Sequence, residues 1–226
     1  PGLLQTLASL NRTAPLTIYG PPGQEGLAAA ISLLTGPLPY PVAWKPAAAP
    51  FTAAGLTVTP FALKHRVPCC GYQLHLPRAG RFDAARAKAA DIPLEYWRVL
   101  QAGQSIGGFT PDDVLGPPRR GLTVVYATDT RPCPALVHAA LGADLLCMDS
   151  TYADDADLPK AKLYGHSTCR EVGALADEAM VRRLWLTHYS AAVTDPAPGL
   201  AAAQAHYPEA AAGVDGMQLE LEFDDM

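Results

Sequence analysis

Hydrophobic and polar residues alternate along much of the chain and predict a series of short strands. Residues 56–63 and 71–76 alternate clearly, and residues 122–127, 144–148 and 183–187 are apolar runs that end in polar residues. Further strands are predicted at 15–19, 42–44 and 218–223. Residues 3–10, 25–34, 134–141, 168–179 and 199–206 have helical spacing, and Ser167 or Thr168 caps the fourth of these helices. This order of elements predicts a layered α/β sandwich.

Residues 77–116 follow a different pattern. They contain short amphipathic pieces at 82–90 and 94–100, much Ala, Gly and Pro, and the cations Arg78, Arg81, Arg86, Lys88 and Arg98. We predict an inserted arm with little capacity to form a core, within a single domain that spans residues 1–226. From charge pattern alone, a solvated surface segment is the alternative.

Asp129 stands directly after the apolar run at 122–127. Pro132 and Pro134 prevent that strand from continuing, so the carboxylate is expected at the mouth of a strand. Ligands collect at such strand ends in α/β folds, where a carboxylate can bridge two cations. The alternative is that Asp129 caps the helix that begins near Cys133.

Other predicted strands also end in residues capable of chemistry. His65, Asp149 and His188 stand at strand ends, and His166 comes just before a helix. Neutral imidazole and carboxylate groups are the ligands that zinc and manganese prefer in hydrolytic sites. The pattern therefore predicts a metal site at one edge of the sheet. The remaining histidines fall on a strand face or on helices and are predicted to lie outside it: His75, His138 and His206.

Composition narrows the class of protein. The 226 residues are 49% hydrophobic and 17% charged, enough for a core in one domain. The net charge of -5 gives no global basic field, so binding to nucleic acid would need a local basic patch. The five cysteines form no Cys-x-x-Cys pair, which predicts reduced thiols and a cytoplasmic protein. The sequence contains no run of about 18 apolar residues, so no membrane span is predicted.

A series of short stretches adds a resemblance to these patterns. They are Pro1-Gly2-Leu3-Leu4, Pro15-Leu16-Thr17-Ile18-Tyr19-Gly20-Pro21, His65 followed by Gly71-Tyr72, Gly80-Arg81-Phe82-Asp83, Asp112-Asp113-Val114-Leu115-Gly116-Pro117-Pro118, Asp129-Thr130-Arg131, Gly165-His166-Ser167-Thr168 and Leu186-Thr187-His188-Tyr189-Ser190. In this order they resemble ribonuclease Z, the endoribonuclease family that processes the 3′ end of tRNA. The resemblance covers nearly the whole chain.

The resemblance implies a metallo-β-lactamase-like αββα sandwich with an inserted flexible arm, and zinc-dependent removal of 3′ trailers from precursor tRNA. His65 would bind one of two zinc ions, His188 the other, and Asp129 would bridge them; Mn²⁺ or Mg²⁺ could replace zinc. His166 would match the family's catalytic histidine, which assists cleavage near the scissile phosphate or the leaving oxygen. Asp149 would orient His166.

The arm and the oligomeric state also follow from the resemblance. In the family, a flexible arm on one subunit of a homodimer grips the tRNA bound to the other. Four cations of the arm are therefore candidates for RNA binding: Arg78, Arg81, Arg86 and Lys88.

The sequence departs from the family at several positions. Met148 and Asp149 stand where a His-Glu pair is usual, Thr128 replaces a Gly, and residues 190–193 replace a Ser-x-Arg-Tyr-like run. Residues 93–96 replace a Pro-Pro-Gly-Pro-like run. The family's His-x-His-x-Asp-His motif would lie a few residues before Pro1. The expectation is therefore a domain truncated at its N-terminus, with impaired activity.

The sequence is compatible with two other functions. One is a different phosphodiesterase of the metallo-β-lactamase fold, although a small-molecule hydrolase has little use for the arm. The other is a non-catalytic fragment that binds RNA or dimerises.

Overall fold

The computed structural model describes residues 1–153 and 155–224. Its strands are β1 (Leu16–Gly20), β2 (Val42–Pro46), β3 (Phe51–Ala53), β4 (Leu56–Ala62), β5 (Cys70–Arg78), β6 (Arg119–Ala127), β7 (Leu145–Asp149), β8 (Leu184–Thr187) and β9 (Ala210–Ala212). Its helices are α1 (Gly2–Ser9), α2 (Glu25–Thr35), α3 (Ala84–Ala89), α4 (Leu94–Gln101), α5 (Pro134–Ala140), α6 (Leu158–Tyr164), α7 (Cys169–Glu178) and α8 (Ala197–Gln204). Short 3-10 turns lie at Pro111–Asp113 and Asp155–Asp157.

The strands form two sheets of unequal size. β1 and β2 pair in parallel, and the other seven strands form one sheet in sequential order from β3 to β9. Strands β3 to β6 run antiparallel to their neighbours, whereas β6 to β9 run parallel. The helices between the parallel strands provide the crossovers that parallel pairing requires. The predicted layered α/β architecture is confirmed.

The main core lies between the parallel half of the sheet and its helices. Leu146, Met148 and Leu186 from the strands pack with Leu136 from α5 and Val172 from α7, and all five are fully buried. β7 is buried along its whole length, as expected for a central parallel strand. This dense packing holds the carboxyl ends of the strands in fixed positions.

Most predicted elements are confirmed within one to three residues at each end. α7 begins at the predicted cap, because Thr168 and Glu171 form a capping box. Three elements have no predicted counterpart: β3, α6 and β9. The predicted final strand at 218–223 is wrong, since this segment pairs with no strand. Its alternating pattern is a local signal, and the position beside β8 is taken by the small residues of β9.

The segment 77–116 is more compact than predicted. Ala87, Ile92, Leu100 and Val114 are buried in a small core of their own, together with Trp97 and other aromatic residues. The expectation of little core-forming capacity is wrong, because the abundance of Ala and Gly concealed large apolar side chains at helical spacing.

The base of the segment is closed by backbone contacts between its two ends. The amide of Gly116 donates to the carbonyl of Arg81, and that of Asp83 donates to Val114. A side chain at Gly80 would lie 1.9 Å from the carbonyl oxygen of Gly116, so only glycine allows this approach.

The cysteines and the helices agree with the composition. The five cysteines are free, as predicted. Among the described helices, none combines the length and the hydrophobicity of a membrane span.

Candidate active site

Four strands deliver the predicted site residues to one edge of the large sheet. β4 runs in the same direction as β6 because both are antiparallel to β5. The carboxyl ends of β4, β6, β7 and β8 therefore meet at the same edge. His65 follows β4, Asp129 follows β6, Asp149 ends β7 and His188 follows β8. The topology thus gathers residues that are far apart in the chain.

Asp149 is the buried centre of this edge, with no exposed surface. Its Oδ2 accepts hydrogen bonds from the Thr130 amide at 3.0 Å and from His166 Nδ1 at 2.7 Å. Its Oδ1 accepts from the Thr151 amide at 2.9 Å, from the Thr151 hydroxyl at 2.8 Å and, more weakly, from the Ser167 amide at 3.4 Å. These donors satisfy the buried carboxylate and orient it towards His166.

In His65, His166 and His188, the ring nitrogen Nδ1 lies within hydrogen-bond distance of another protein group. His65 Nδ1 lies 3.0 Å from the carbonyl oxygen of Gly165, which can only accept, so Nδ1 carries the proton. The same reasoning places a proton on His166 Nδ1, which faces the Asp149 carboxylate. His188 Nδ1 lies 3.1 Å from the Thr151 hydroxyl, whose own proton points to Asp149. In neutral imidazoles, each Nε2 is then left with a lone pair, the form that binds a metal.

Asp129 lies close to His65 and His188, the two outer histidines of the site. Its Oδ1 is 3.3 Å from His188 Nε2, and it forms one group with His65 and His166 whose ligand atoms lie within 4.8 Å of one another. Asp149, His166 and His188 form a second such group. Imidazole nitrogens with a carboxylate between them are a donor set that suits Zn²⁺ or Mn²⁺.

His166 occupies the middle of the site. The centroid of its ring lies 5.0 Å from that of His65 and 5.4 Å from that of His188. It contributes a nitrogen to both ligand groups, but its ring is anchored to the buried carboxylate rather than to a backbone carbonyl or a hydroxyl. This anchor distinguishes His166 from the two outer histidines.

Asp129 and His188 share an unusual backbone conformation. Their φ angles are 54° and 59°, in the left-handed region that few residues other than glycine adopt. Strained residues of this kind concentrate at functional sites. The alternative role for Asp129 is wrong, because α5 begins after Cys133 with no side-chain cap.

Backbone contacts hold the loops of the site together. The Lys64 amide donates to the Thr130 hydroxyl at 3.1 Å, and the Arg131 amide donates to the Lys64 carbonyl at 2.9 Å. Gly165 has a φ of +83°, and a side chain there would lie 2.8 Å from His65 Nδ1. A glycine is therefore required where the loop before His166 approaches His65.

Cys69 lies beside the site but is a poor ligand. Burial, followed by the negative charge of Asp129, raises the pKa of its thiol to about 11. Both effects make the thiolate, which is the form that binds metals, harder to form at this position. This agrees with a site built from nitrogen and oxygen donors.

The four predicted RNA-binding cations occupy different environments. The guanidinium of Arg78 donates to the carbonyl of Asp224 and lies 4.6 Å from the ring of Phe223. The guanidinium of Arg86 donates to two backbone carbonyls in its own segment. Arg81 and Lys88 have exposed side chains. Arg86 is exposed as well, but its guanidinium is held by these two backbone contacts.

Three residues that support the site are absent from the predicted set: Thr151, Arg131 and Glu171. Thr151 contacts both Asp149 and His188 through its hydroxyl. Arg131, seen only as part of a motif, donates to the carbonyl of His166 and to Glu171. No local signal identifies Thr151, whereas the cap Thr168-x-x-Glu171 could have directed attention to Glu171.

Solved structures with the same architecture include several metallo-β-lactamase-fold proteins. YhfI from Bacillus subtilis has a TM-score of 0.64 and 19% identity, and the match covers 96% of this chain and 69% of that protein. The short form of human tRNase Z has a TM-score of 0.58 and 20% identity, with 99% and 73% covered. At such identities the likeness establishes the fold alone, and the predicted metallo-β-lactamase fold is confirmed.

Sequence relatives identify the family more closely. No family model matches the chain. Ribonuclease Z from Lachnoclostridium phytofermentans is 35% identical over 231 residues, which cover 99% of this chain and 76% of the relative. Ribonuclease Z from Agathobacter rectalis is 36% identical over 232 residues, with 100% and 77% covered. Since the similarity extends over nearly all of this chain and about three quarters of each relative, the chain belongs to the ribonuclease Z family.

Proposed function

We propose that the protein is a metal-dependent endoribonuclease that removes 3′ trailers from precursor tRNA. The observation that carries this proposal is the meeting of His65, Asp129, His166 and His188 above the buried Asp149. The relatives named ribonuclease Z support cleavage of RNA, and the structural neighbour named tRNase Z supports tRNA as the substrate class.

In this proposal His65, His188 and Asp129 are the residues that would hold the zinc ions. The fit rests on the unprotonated Nε2 atoms and on the position of Asp129 beside His188. When bound, the cations supply Lewis-acid activation of water and offset negative charge at the phosphate. Proton transfer and the orientation of the acid are carried out by His166 and Asp149.

His166 is the proposed catalytic acid. Its Nδ1–H is held by Asp149, so a second proton at Nε2 would make a cation that the carboxylate stabilises. As a water oxygen forms a bond to phosphorus and releases a proton to solvent, the bond between phosphorus and the 3′ oxygen breaks, and the proton on His166 Nε2 passes to the 3′ oxygen. Asp149 keeps the ring in place through its hydrogen bond to Nδ1.

Replacing His188 by Ala tests the metal assignment. We expect loss of detectable cleavage of a precursor tRNA with a 3′ trailer, a lower zinc content per chain, and nearly unchanged tRNA binding. His138→Ala is the matched control, because His138 is exposed on α5. Cleavage that survives in His188→Ala would contradict the ligand assignment. A wild-type protein that binds tRNA without cleaving it would favour the non-catalytic alternative.

We also propose that residues 77–116 form an arm that docks tRNA. The exposed side chains of Arg81 and Lys88 support this proposal, since phosphate contacts by cations provide most of the non-specific affinity for RNA. The double variant Arg81→Gln/Lys88→Gln should raise KM for precursor tRNA far more than KM for a small phosphodiester. Arg86→Gln is the comparison, because Arg86 binds backbone carbonyls within the arm. Equal effects on both substrates would exclude the arm from recognition.

We further propose that the protein acts as a homodimer. Leucines on α1 and α2 are largely exposed and support a covered apolar face in this region: Leu3 (71%), Leu27 (52%), Leu33 (84%) and Leu34 (67%). Light scattering should give twice the chain mass, and Leu33→Glu/Leu34→Glu should lower it. A monomeric wild-type protein that is fully active would contradict the dimer.

A further inference from the structure

Arg131 connects the backbone of His166 to the carboxylate of Glu171. Its side chain is only 13% exposed. Nη1 donates to the carbonyl oxygen of His166 at 2.7 Å and to Glu171 Oε2 at 2.6 Å, and Nη2 donates to Glu171 Oε1. The guanidinium thus connects the catalytic histidine's backbone to a carboxylate on α7. Such two-point pairing defines position more tightly than a single contact.

Glu171 is itself fixed by the start of α7. Its Oε2 accepts from the Thr168 amide at 3.1 Å, and its own amide donates to the Thr168 hydroxyl. The same carboxylate therefore completes the helix cap and holds Arg131. Since α7 packs into the main core, this arrangement ties His166 to a rigid element.

A second contact joins the same two loops. The Ser167 hydroxyl donates to the Thr130 carbonyl at 2.6 Å, and the Thr130 amide donates to Asp149. His166 is therefore anchored at two points: its ring by Asp149 and its main chain by Arg131. A ring contact alone leaves the backbone free to shift, whereas both anchors together limit movement of Nε2. General acid catalysis depends on such placement.

We propose that Arg131 and Glu171 are a positioning pair for His166, needed for cleavage but not for binding tRNA or metal. The inference rests on the proposed function, since it assumes that His166 acts in catalysis. The opposing possibility is an ion pair that stabilises the fold without affecting catalysis. Lysine cannot replace arginine in the first case, because its ammonium group cannot reproduce the planar fork.

Kinetics separate the two possibilities. Arg131→Lys and Glu171→Gln should each lower kcat for precursor tRNA about 10- to 100-fold, the range typical of lost outer partners. KM and zinc content should change little, and kcat is compared per folded molecule, because loss of one partner of this mostly buried pair also lowers the melting temperature. Arg170→Gln is the matched control, because Arg170 lies next to Glu171 on α7 but forms an exposed pair with Asp155. A kcat in Arg131→Lys equal to that of wild type would overturn the proposal.

Double variants provide a sharper criterion. In a His166→Ala background, Arg131→Lys should cause almost no further loss of kcat, because residues that act as a unit are not additive. A further loss as large as the one in wild type would show that Arg131 acts independently of His166. That result would overturn the proposed pairing.

A spectroscopic measurement works even without cleavage. In the metal-free protein, the His166 ring proton that faces Asp149 should give a downfield NMR signal, assigned by its absence in His166→Ala. Arg131→Lys should broaden or shift this signal, whereas Arg170→Gln should leave it in place. An unchanged signal would overturn the positioning role. If the wild-type protein failed to cleave tRNA, the proposed function would fail while this measurement still decided whether Arg131 positions His166.

Discussion

Strand β7 ends in the buried Asp149 and is preceded by the buried Asp144, and the two aspartates have different surroundings. Asp144, just before the strand, has a side chain 3% exposed and forms ion pairs with Arg120 at 2.8 Å and Arg182 at 3.8 Å. Its Oδ2 also accepts from the Thr123 amide at 2.7 Å. Asp149, the last residue of the strand, has a fully buried side chain bonded to neutral donors and to His166.

The difference shows how partners separate a structural carboxylate from one used in chemistry. Arginine stays charged at all accessible pH values, so the charges around Asp144 do not change. Histidine gains and loses a proton near neutral pH, so the charge beside Asp149 can change during a reaction. The same residue type on one strand therefore serves the fold at one end and the proposed reaction at the other.

The largest expected effect comes from Asp149→Asn. The amide cannot stabilise a charged His166, and its NH₂ group faces donors instead of accepting from them. We expect kcat for precursor tRNA to fall about 100- to 1000-fold, with a folded circular-dichroism spectrum at low temperature. If kcat fell less than about tenfold, the distinction between the two aspartates would not hold.

Asp144→Asn should affect stability instead. Removing one partner of a buried ion pair costs about 3 kcal/mol or more. Because the side chains of Arg120 and Arg182 are 43% and 44% exposed, solvent screens the pairs and the loss here should be smaller, about 1 to 2 kcal/mol. The free energy of unfolding from denaturant titration should fall by this order, while kcat per folded molecule stays within about twofold. A stable but inactive variant would contradict a purely structural role for Asp144.

Thr151→Val should have an intermediate effect. The change removes the hydroxyl that contacts Asp149 and His188 but keeps the side-chain shape and the amide bond to Asp149. Loss of such a hydrogen bond is worth about 1 kcal/mol, or about fivefold in kcat. Thr123→Val is the matched control at the opposite end of the sheet, because the Thr123 amide still binds Asp144. Equal losses of kcat in Thr151→Val and Thr123→Val would contradict a specific role for the Thr151 hydroxyl.

The smallest expected effect concerns Asp224. A hydrogen bond from the exposed Arg182 lowers the pKa of the Asp224 carboxyl. Its contribution to stability should therefore be present above the carboxyl's ordinary pKa and be lost as pH falls through the lowered pKa. The melting temperatures of wild type and Asp224→Asn should differ slightly at pH 7 and converge at low pH or high salt. A gap that widens on acidification would contradict this sign.

Local patterns predicted most of the elements and the proposed site residues. Alternation identified β4 and β5, and the polar ends of the apolar runs identified Asp129, Asp149 and His188. These predictions work because strand ends coincide with changes in polarity that are visible in neighbouring residues. Alternation at 218–223 is equally clear but produced no strand, since pairing depends on which segment competes for the edge beside β8.

The pairing partners of the site residues were decided by the tertiary structure. Thr151, Arg131 and Glu171 support His166 and His188 through contacts that span 35 to 40 residues. A separation of that size leaves no periodic signal in the chain.

By itself, the sequence determined the class of fold, the order of strands and helices, and the kinds of ligand available at the strand ends. Only the tertiary structure decided that β4 lies parallel to β6, which brings His65 to the same edge as Asp129 and His188. It also decided that Asp144, just before β7, pairs with Arg120 and Arg182. The physical reason is that local patterning sets burial and secondary structure, whereas the partner of a buried charge depends on how distant strands pair.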